Sequence, residues 1–218
     1  MRKRPCKPPR HLSFLDVVGS DPDVMAERHM TFPTDEEKIR ELRAGDSVTV
    51  DGHIIGIRDR TQIRIFDQGV KPPMDLNGAF LLHTAPGVRK LGPGRYEKVS
   101  IGTTTSARMV RFTEPLGSHY GVRAICGKGG FPDVAIEPMQ RLGMVYFAIV
   151  GGAAALETTQ IEEIEEVAWE ELMPECLWKF RVKDFGPLTV GIDAHGNSLY
   201  RDVQTRARAK LEELFARL

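Results

Sequence analysis

Three short apolar runs constrain this chain more than any other feature: "GAFLLHTA" at 78–85, "GVRAICGKGG" at 121–130 and "MVYFAIVGGAAAL" at 144–156. Each holds only a few consecutive apolar residues before glycine or proline stops it. Runs of that kind read as buried strands. The segments between them read as helices. "DRTQIRIFDQG", 59–69, predicts a short helix ending at Gly69, and "DVAIEPMQRLG", 133–143, predicts another despite Pro138 in its middle. "VSIGTTTSARMVRFTEPL", 99–116, reads as strand, hydroxyl-rich loop and helix.

The flanking segments are more ambiguous. "DSVTVDGHIIGIRD", 46–59, is rich in β-branched residues and is expected to be a pair of strands about Gly52. "LWKFRVKDFGPLTVGIDAHGNSLY", 177–200, predicts two or three strands with "DAHGN" as a hairpin turn. Between them, residues 156–175 carry eight glutamates and no basic residue. That is a solvated charged face, on either a helix stripe or a bulged strand through Ile161, Ile164 and Val167. Residues 203–218 place Val203, Ala207, Leu211, Leu214 and Leu218 on one side of a C-terminal amphipathic helix. At the other end, "MRKRPCKPPR" cannot pack by itself, and residues 1–30 are expected to be a disordered tail. Thr34 and Glu37 then have the spacing of a capping box. The mixture of βα units and late hairpins predicts a single α/β domain with a mixed sheet and flanking helices.

Composition excludes several functions. The formal net charge is zero, so no global attraction to nucleic acid or acidic lipid exists. No apolar run reaches the length of a membrane span. Three widely spaced cysteines, Cys6, Cys126 and Cys176, make no disulfide framework and point to a reducing, cytoplasmic setting. Their spacing matches no local iron–sulfur ligand motif either.

Three stretches can carry chemistry. "GTTTSARM", 102–109, lies between a predicted strand and a predicted helix, where hydroxyls and free N–H groups suit an anion and Arg108 adds a planar fork. A threonine-rich strand end with a surface arginine fits these residues equally well. "GKGG", 127–130, lets backbone approach a ligand and supplies the point charge of Lys128, but it lacks the Walker A and dinucleotide spacings. Arg58 of "IRD" closes a third predicted strand. Open α/β sheets bind ligands at such strand ends, and several cations beside hydroxyls suit a small dicarboxylate. No histidine lies within the three stretches, so a proton-moving group there would be an activated threonine.

In this order, "IRD", "GTTTSARM", "GKGG", "VYFAIVGGAAAL" and "LWKFRVKDFGPLTVGIDAHGNSLY" resemble the β subunit, or C-terminal domain, of class I fumarate hydratases and L-tartrate dehydratases. The resemblance runs from about residue 40 to about residue 200. It implies a swivelling β/β/α domain over residues 31–202 and an oxygen-sensitive hydro-lyase active only with an α subunit. It implies that this partner holds the 4Fe–4S cluster, that no metal is bound by this chain, and that the assembly is an α2β2 hetero-oligomer. Carried over, Thr104 falls on the general base, and Thr105, Arg108, Arg58, Lys128 and Gly129 fall on substrate-binding positions. The chain departs from the family at Thr103 (proline), Ala107 (glycine) and Gln62 (histidine), and "TAPG" at 84–87 replaces "AGP". A diverged, non-catalytic dicarboxylate-binding or regulatory subunit is the alternative reading.

Overall fold

The computed structural model describes residues 26–152 and 154–216. The expected mixed α/β architecture with flanking helices is present. The first strand, β1 (Glu27–Phe32), pairs in parallel with β2 (Ser47–Ile57). The ordered sheet therefore starts inside the stretch expected to be a tail, and residues 1–25 of that stretch lie outside the described residues. Helix α1 (Glu36–Ile39) is capped by Asp35, whose carboxylate accepts from Lys38 N at 2.9 Å. The expected Thr34 cap is not formed, because Asp35 stands one residue closer and accepts more strongly.

The 46–59 segment is one strand and not a pair. One side of β2 pairs with β1 up to Gly52, then with β3 (Phe80–His83) from Ile54 onward. Gly52, at φ +96°, is where the partner changes, and a Cβ there would stand 2.2 Å from the Phe32 carbonyl oxygen. The glycine marks a close approach of backbones, not a turn.

After β2 come α2 (Asp59–Phe66) and β3, as the sequence predicts. A hairpin of β4 (Gly87–Gly92) and β5 (Arg95–Ser100) follows. Next are a 3₁₀ turn (Ser106–Phe112), α3 (Thr113–Tyr120), β6 (Ala124–Gly127), α4 (Ile136–Leu142), β7 (Val145–Ala148) and the short α5 (Ala154–Glu157). Strands β2, β3, β6 and β7 are parallel neighbours in that order. The acidic segment is the strand β8 (Ile161–Ala168), with the register shifts of a bulged strand.

The 177–200 segment also differs from expectation. It holds a single strand, β9 (Leu177–Ile192), and "DAHGN" turns the chain into a helix rather than a second strand. One side of β9 pairs with β2 along most of its length, while the other exchanges β8 for β7 near Gly186. Through the β2–β9 pairing the sheet closes on itself. Its interior holds one apolar cluster, with Phe80 stacked on Phe147 at 5.5 Å and meeting Phe32 edge-on at 5.2 Å. Truncating a buried phenylalanine of this kind costs about 3–5 kcal/mol. The second cluster joins the outer face of the parallel strands to α2, α3 and α4 through Ile57, Leu81, Ile125, Ile65, Leu116 and Met139. The last helix, α6 (Leu199–Phe215), begins four residues earlier than expected, and none of its described residues is buried. Leu218 of the expected apolar stripe lies outside the described residues. No helix among the described residues is long and apolar enough to cross a membrane.

Candidate functional site

Four parallel strands in close register end together: Ile57 pairs with His83, Leu82 with Cys126 and Gly127 with Ala148. The three predicted stretches all leave from this edge. Arg58 follows β2 directly and Lys128 follows β6 directly. The hydroxyl stretch threads between the ends of β3 and β6 like a short added strand. Thr103 bridges to Thr84, Thr104 N donates to His83 O at 3.0 Å, Lys128 N donates to Thr104 O at 3.2 Å, and Ser106 N donates to Lys128 O at 3.3 Å. Backbone hydrogen bonds thus carry the loop geometry.

The side chains converge on Asp59. Arg108 Nη2 donates to Asp59 Oδ2 at 3.0 Å and to Thr104 Oγ1 at 3.1 Å. Arg58 Nε lies 3.4 Å from the same Asp59 oxygen and 3.7 Å from Glu175 Oε1. Burial pushes the Asp59 carboxyl upward, but the hydrogen bond and charge of Arg108, with those of Arg58, outweigh it and hold the group below its ordinary value. Lys128 is half-buried and, among the described residues, has no carboxylate within ion-pair distance. Gly129 beside it has φ +81°, and its carbonyl accepts from Tyr146 Oη at 3.1 Å and Tyr200 Oη at 3.3 Å.

The structure therefore brings Arg58, Thr104 and Arg108 into one hydrogen-bonded cluster. Thr105, Lys128 and Gly129 stand alongside through the Thr105–Lys128 bridge. The two threonines are not equivalent: Thr104 is 7% exposed, whereas Thr105 faces solvent. Sequence reasoning assigned no role to Asp59 or Glu175, although Asp59 lies within "IRD". It also missed His83, a fully buried histidine whose Nδ1 is 2.9 Å from Ser106 Oγ. Burial drives the His83 pKa down to about 3, so the ring is neutral and serves structure, not proton transfer with solvent.

Three cations and two hydroxyls at the strand-end edge of an α/β sheet make up the candidate site. Residues 18–203 match the family described as Fumarase C-terminus, and the chain belongs to that family. Its relatives include the L(+)-tartrate dehydratase subunit beta of Escherichia coli (strain K12), 42% identical over 171 residues, covering 78% of this chain and 85% of the relative. A protein of Methanocaldococcus jannaschii provisionally named L(+)-tartrate dehydratase subunit beta is 36% identical over 184 residues, 82% of this chain and 94% of that one. A protein of Geobacillus stearothermophilus provisionally named fumarate hydratase class I is 37% identical over 182 residues, 83% of this chain but 35% of that longer one. The resemblance drawn from the motif order is borne out.

The described cysteines do not fit an iron–sulfur cluster. Cys126 and Cys176 are both buried, and burial raises both thiols, that of Cys176 to about 11. Cluster ligands must be thiolates gathered around one point, and among the described residues the gathered group of potential ligands, His29, Asp51 and Asp184, includes neither cysteine.

Proposed function

We propose that this chain is the β subunit of a hydro-lyase that adds or removes water across a small dicarboxylate of the fumarate/malate or tartrate/oxaloacetate type. The observation that carries the reading is the Thr104–Arg108–Asp59–Arg58 cluster beside Lys128, at the strand-end edge of a chain in this family. The 4Fe–4S cluster belongs to an α subunit in an α2β2 cytoplasmic assembly, and the domain is of the swivelling β/β/α type. This chain's share of the chemistry rests on its own side chains.

Arg108, Arg58 and Lys128 bind the carboxylates and orient the substrate. The Arg108 guanidinium, hydrogen-bonded to Thr104 Oγ1, favours the alkoxide over the alcohol and lowers the threonine's proton affinity. In the dehydration direction that oxygen, as the alkoxide, takes the proton from the carbon next to a carboxylate and becomes the neutral alcohol. The charge left on the substrate spreads into the carboxylate held by the cations, an arrangement in place before the reaction begins. That electron pair then forms the carbon–carbon double bond as the neighbouring C–O bond breaks, and the departing hydroxide takes the proton from the threonine and leaves as water, which restores the alkoxide. Exposure favours a second assignment within the same chemistry. Thr105 presents the accessible hydroxyl, and Thr104 would then orient Arg108.

The test is anaerobic co-expression with an α-type chain, iron reconstitution, and absorbance assays on fumarate, malate and both tartrates. Turnover of one of these is expected. A stable complex with an intact cluster and no turnover of any would favour the dicarboxylate-binding or regulatory subunit, which Gln62 in place of the family's histidine also fits.

A further inference from the structure

Behind the cations runs a second, buried network that the proposed chemistry does not use. Gln62, on α2, is fully buried, and its Nε2 lies 3.5 Å from His83 Nε2 and 3.0 Å from Met109 Sδ. His83 Nδ1 is 2.9 Å from Ser106 Oγ. The Ser106 backbone N in turn donates to Lys128 O at 3.3 Å. Tyr146 Oη donates to Gly127 O at 2.9 Å and Gly129 O at 3.1 Å, the carbonyls on either side of Lys128.

The orientation of the Gln62 amide decides the direction of this chain. As placed, both N–H contacts are made and one acceptor, Oε1, is left without a partner. The flipped amide would set an oxygen 3.0 Å from the Met109 sulfur and leave buried N–H donors unpaired. Orphaned buried N–H groups are the rarer and costlier case. With Gln62 as donor, His83 Nε2 is the acceptor and Nδ1 carries the proton. Ser106 Oγ then accepts from His83 Nδ1–H, and the Ser106 backbone carries the connection to Lys128 O.

We infer that Gln62 is a positioning residue, whose amide N–H fixes His83 as the Nδ1–H tautomer and so directs a one-way hydrogen-bond chain from α2 through β3 and the hydroxyl loop to the Lys128 turn. The chain ties together the three loops that carry Arg58, Arg108 and Lys128. Its effect on turnover rests on the hydro-lyase reading, whereas its existence does not. Among the described residues, the charged groups acting on the fully buried His83 are Asp59 and Arg108, with opposite sign. A carboxylate at position 62 would demand a donor from Nε2 and reverse or protonate the ring.

The test is long-range ¹H–¹⁵N correlation NMR on the full chain labelled with ¹⁵N-histidine, comparing wild type, Gln62→Glu and Gln62→His. The wild type is expected to show His83 neutral, protonated on Nδ1 and unchanged from pH 8 to 5. An Nε2–H tautomer, or titration within that range, overturns the inference. Gln62→Glu is expected to protonate His83 Nε2, and an unchanged Nδ1–H ring in that variant also overturns it. In the assembled enzyme Gln62→Glu should raise KM roughly tenfold with a smaller change in kcat, with Gln62→His restoring KM. If the assembly turns over no dicarboxylate, the hydro-lyase reading fails and the tautomer still decides this one.

Discussion

Asp59 bridges two arginines that come from different loops: its Oδ2 lies 3.0 Å from Arg108 Nη2 and 3.4 Å from Arg58 Nε. The free chain thus pairs both arginines with one internal carboxylate, which offsets the repulsion between the two guanidinium groups. Because the folded pKa of Asp59 is depressed, the stability from these pairs is complete above the unfolded value of about 3.9 and is lost as pH falls through the lower folded value. Asp59→Asn should remove that acid limb. Thermal melts from pH 5 to 2.5 check this, and parallel curves for the two proteins would contradict it.

Glu157 makes the opposite prediction. It is 5% exposed, its Oε2 has no partner among the described residues, and burial raises its pKa to about 7. The folded state therefore binds this proton more tightly than the unfolded state. Stability is highest below the ordinary carboxylate value and falls as pH rises to about 7, by on the order of 3 kcal/mol. Glu157→Gln should abolish that fall. Urea unfolding at pH 5 and pH 8 measures it, and an equal decline in the variant would assign the effect to another group.

Gly127 leaves no room for a side chain, since a Cβ there would stand 2.0 Å from Ser106 Oγ. Gly127→Ala should push the hydroxyl loop off the end of β6 and cost about 1–3 kcal/mol, as overpacking does. A melting temperature within a degree of wild type would mean that the loop yields freely.

The two threonines separate by kinetics. The proton carrier, once replaced by alanine, should lose about 10²–10⁴ in kcat, while its neighbour should act mainly on KM. Comparing Thr104→Ala with Thr105→Ala in the assembled enzyme decides which hydroxyl moves the proton. Equal and small losses in both would remove threonine from that role.

Helix α6 spans 17 residues with none buried, and Leu211, Leu214 and Phe215 are each more than half exposed. An isolated helix of that length is marginal in water. Its amides in the free chain should exchange with hydrogen–deuterium protection far below that of β3 or β6. Protection equal to the sheet would show that the helix is packed in solution.

What was legible in the sequence was local. β3, β6 and β7 stand out because a strand buried on both faces needs apolar residues without alternation, and Phe80–His83, Ala124–Gly127 and Val145–Ala148 supply them. β2 was read as a pair because Gly52 resembles a turn residue, and a strand was expected after β9 because "DAHGN" resembles a hairpin turn. Gly52 and Gly186 both sit where a strand changes partner, and a partner is a property of the closed sheet, not of the segment. The same limit applies at the site. Arg58, Thr104 and Arg108 were recognisable by type and motif. Asp59 looked like any acid beside an arginine, and His83 hid in an apolar strand. Only the threading of the loop beside β3 places Ser106 against that ring.

The closure of the sheet by β9 has a consequence for synthesis. Until residues as far as Ile192 have left the ribosome, β2, β7 and β8 each lack a neighbour, and Trp178, Phe180 and Phe185 are missing from the interior. Until then those strands present open edges, and such edges invite pairing with other chains. Closure of the sheet waits on a single strand that enters between three others.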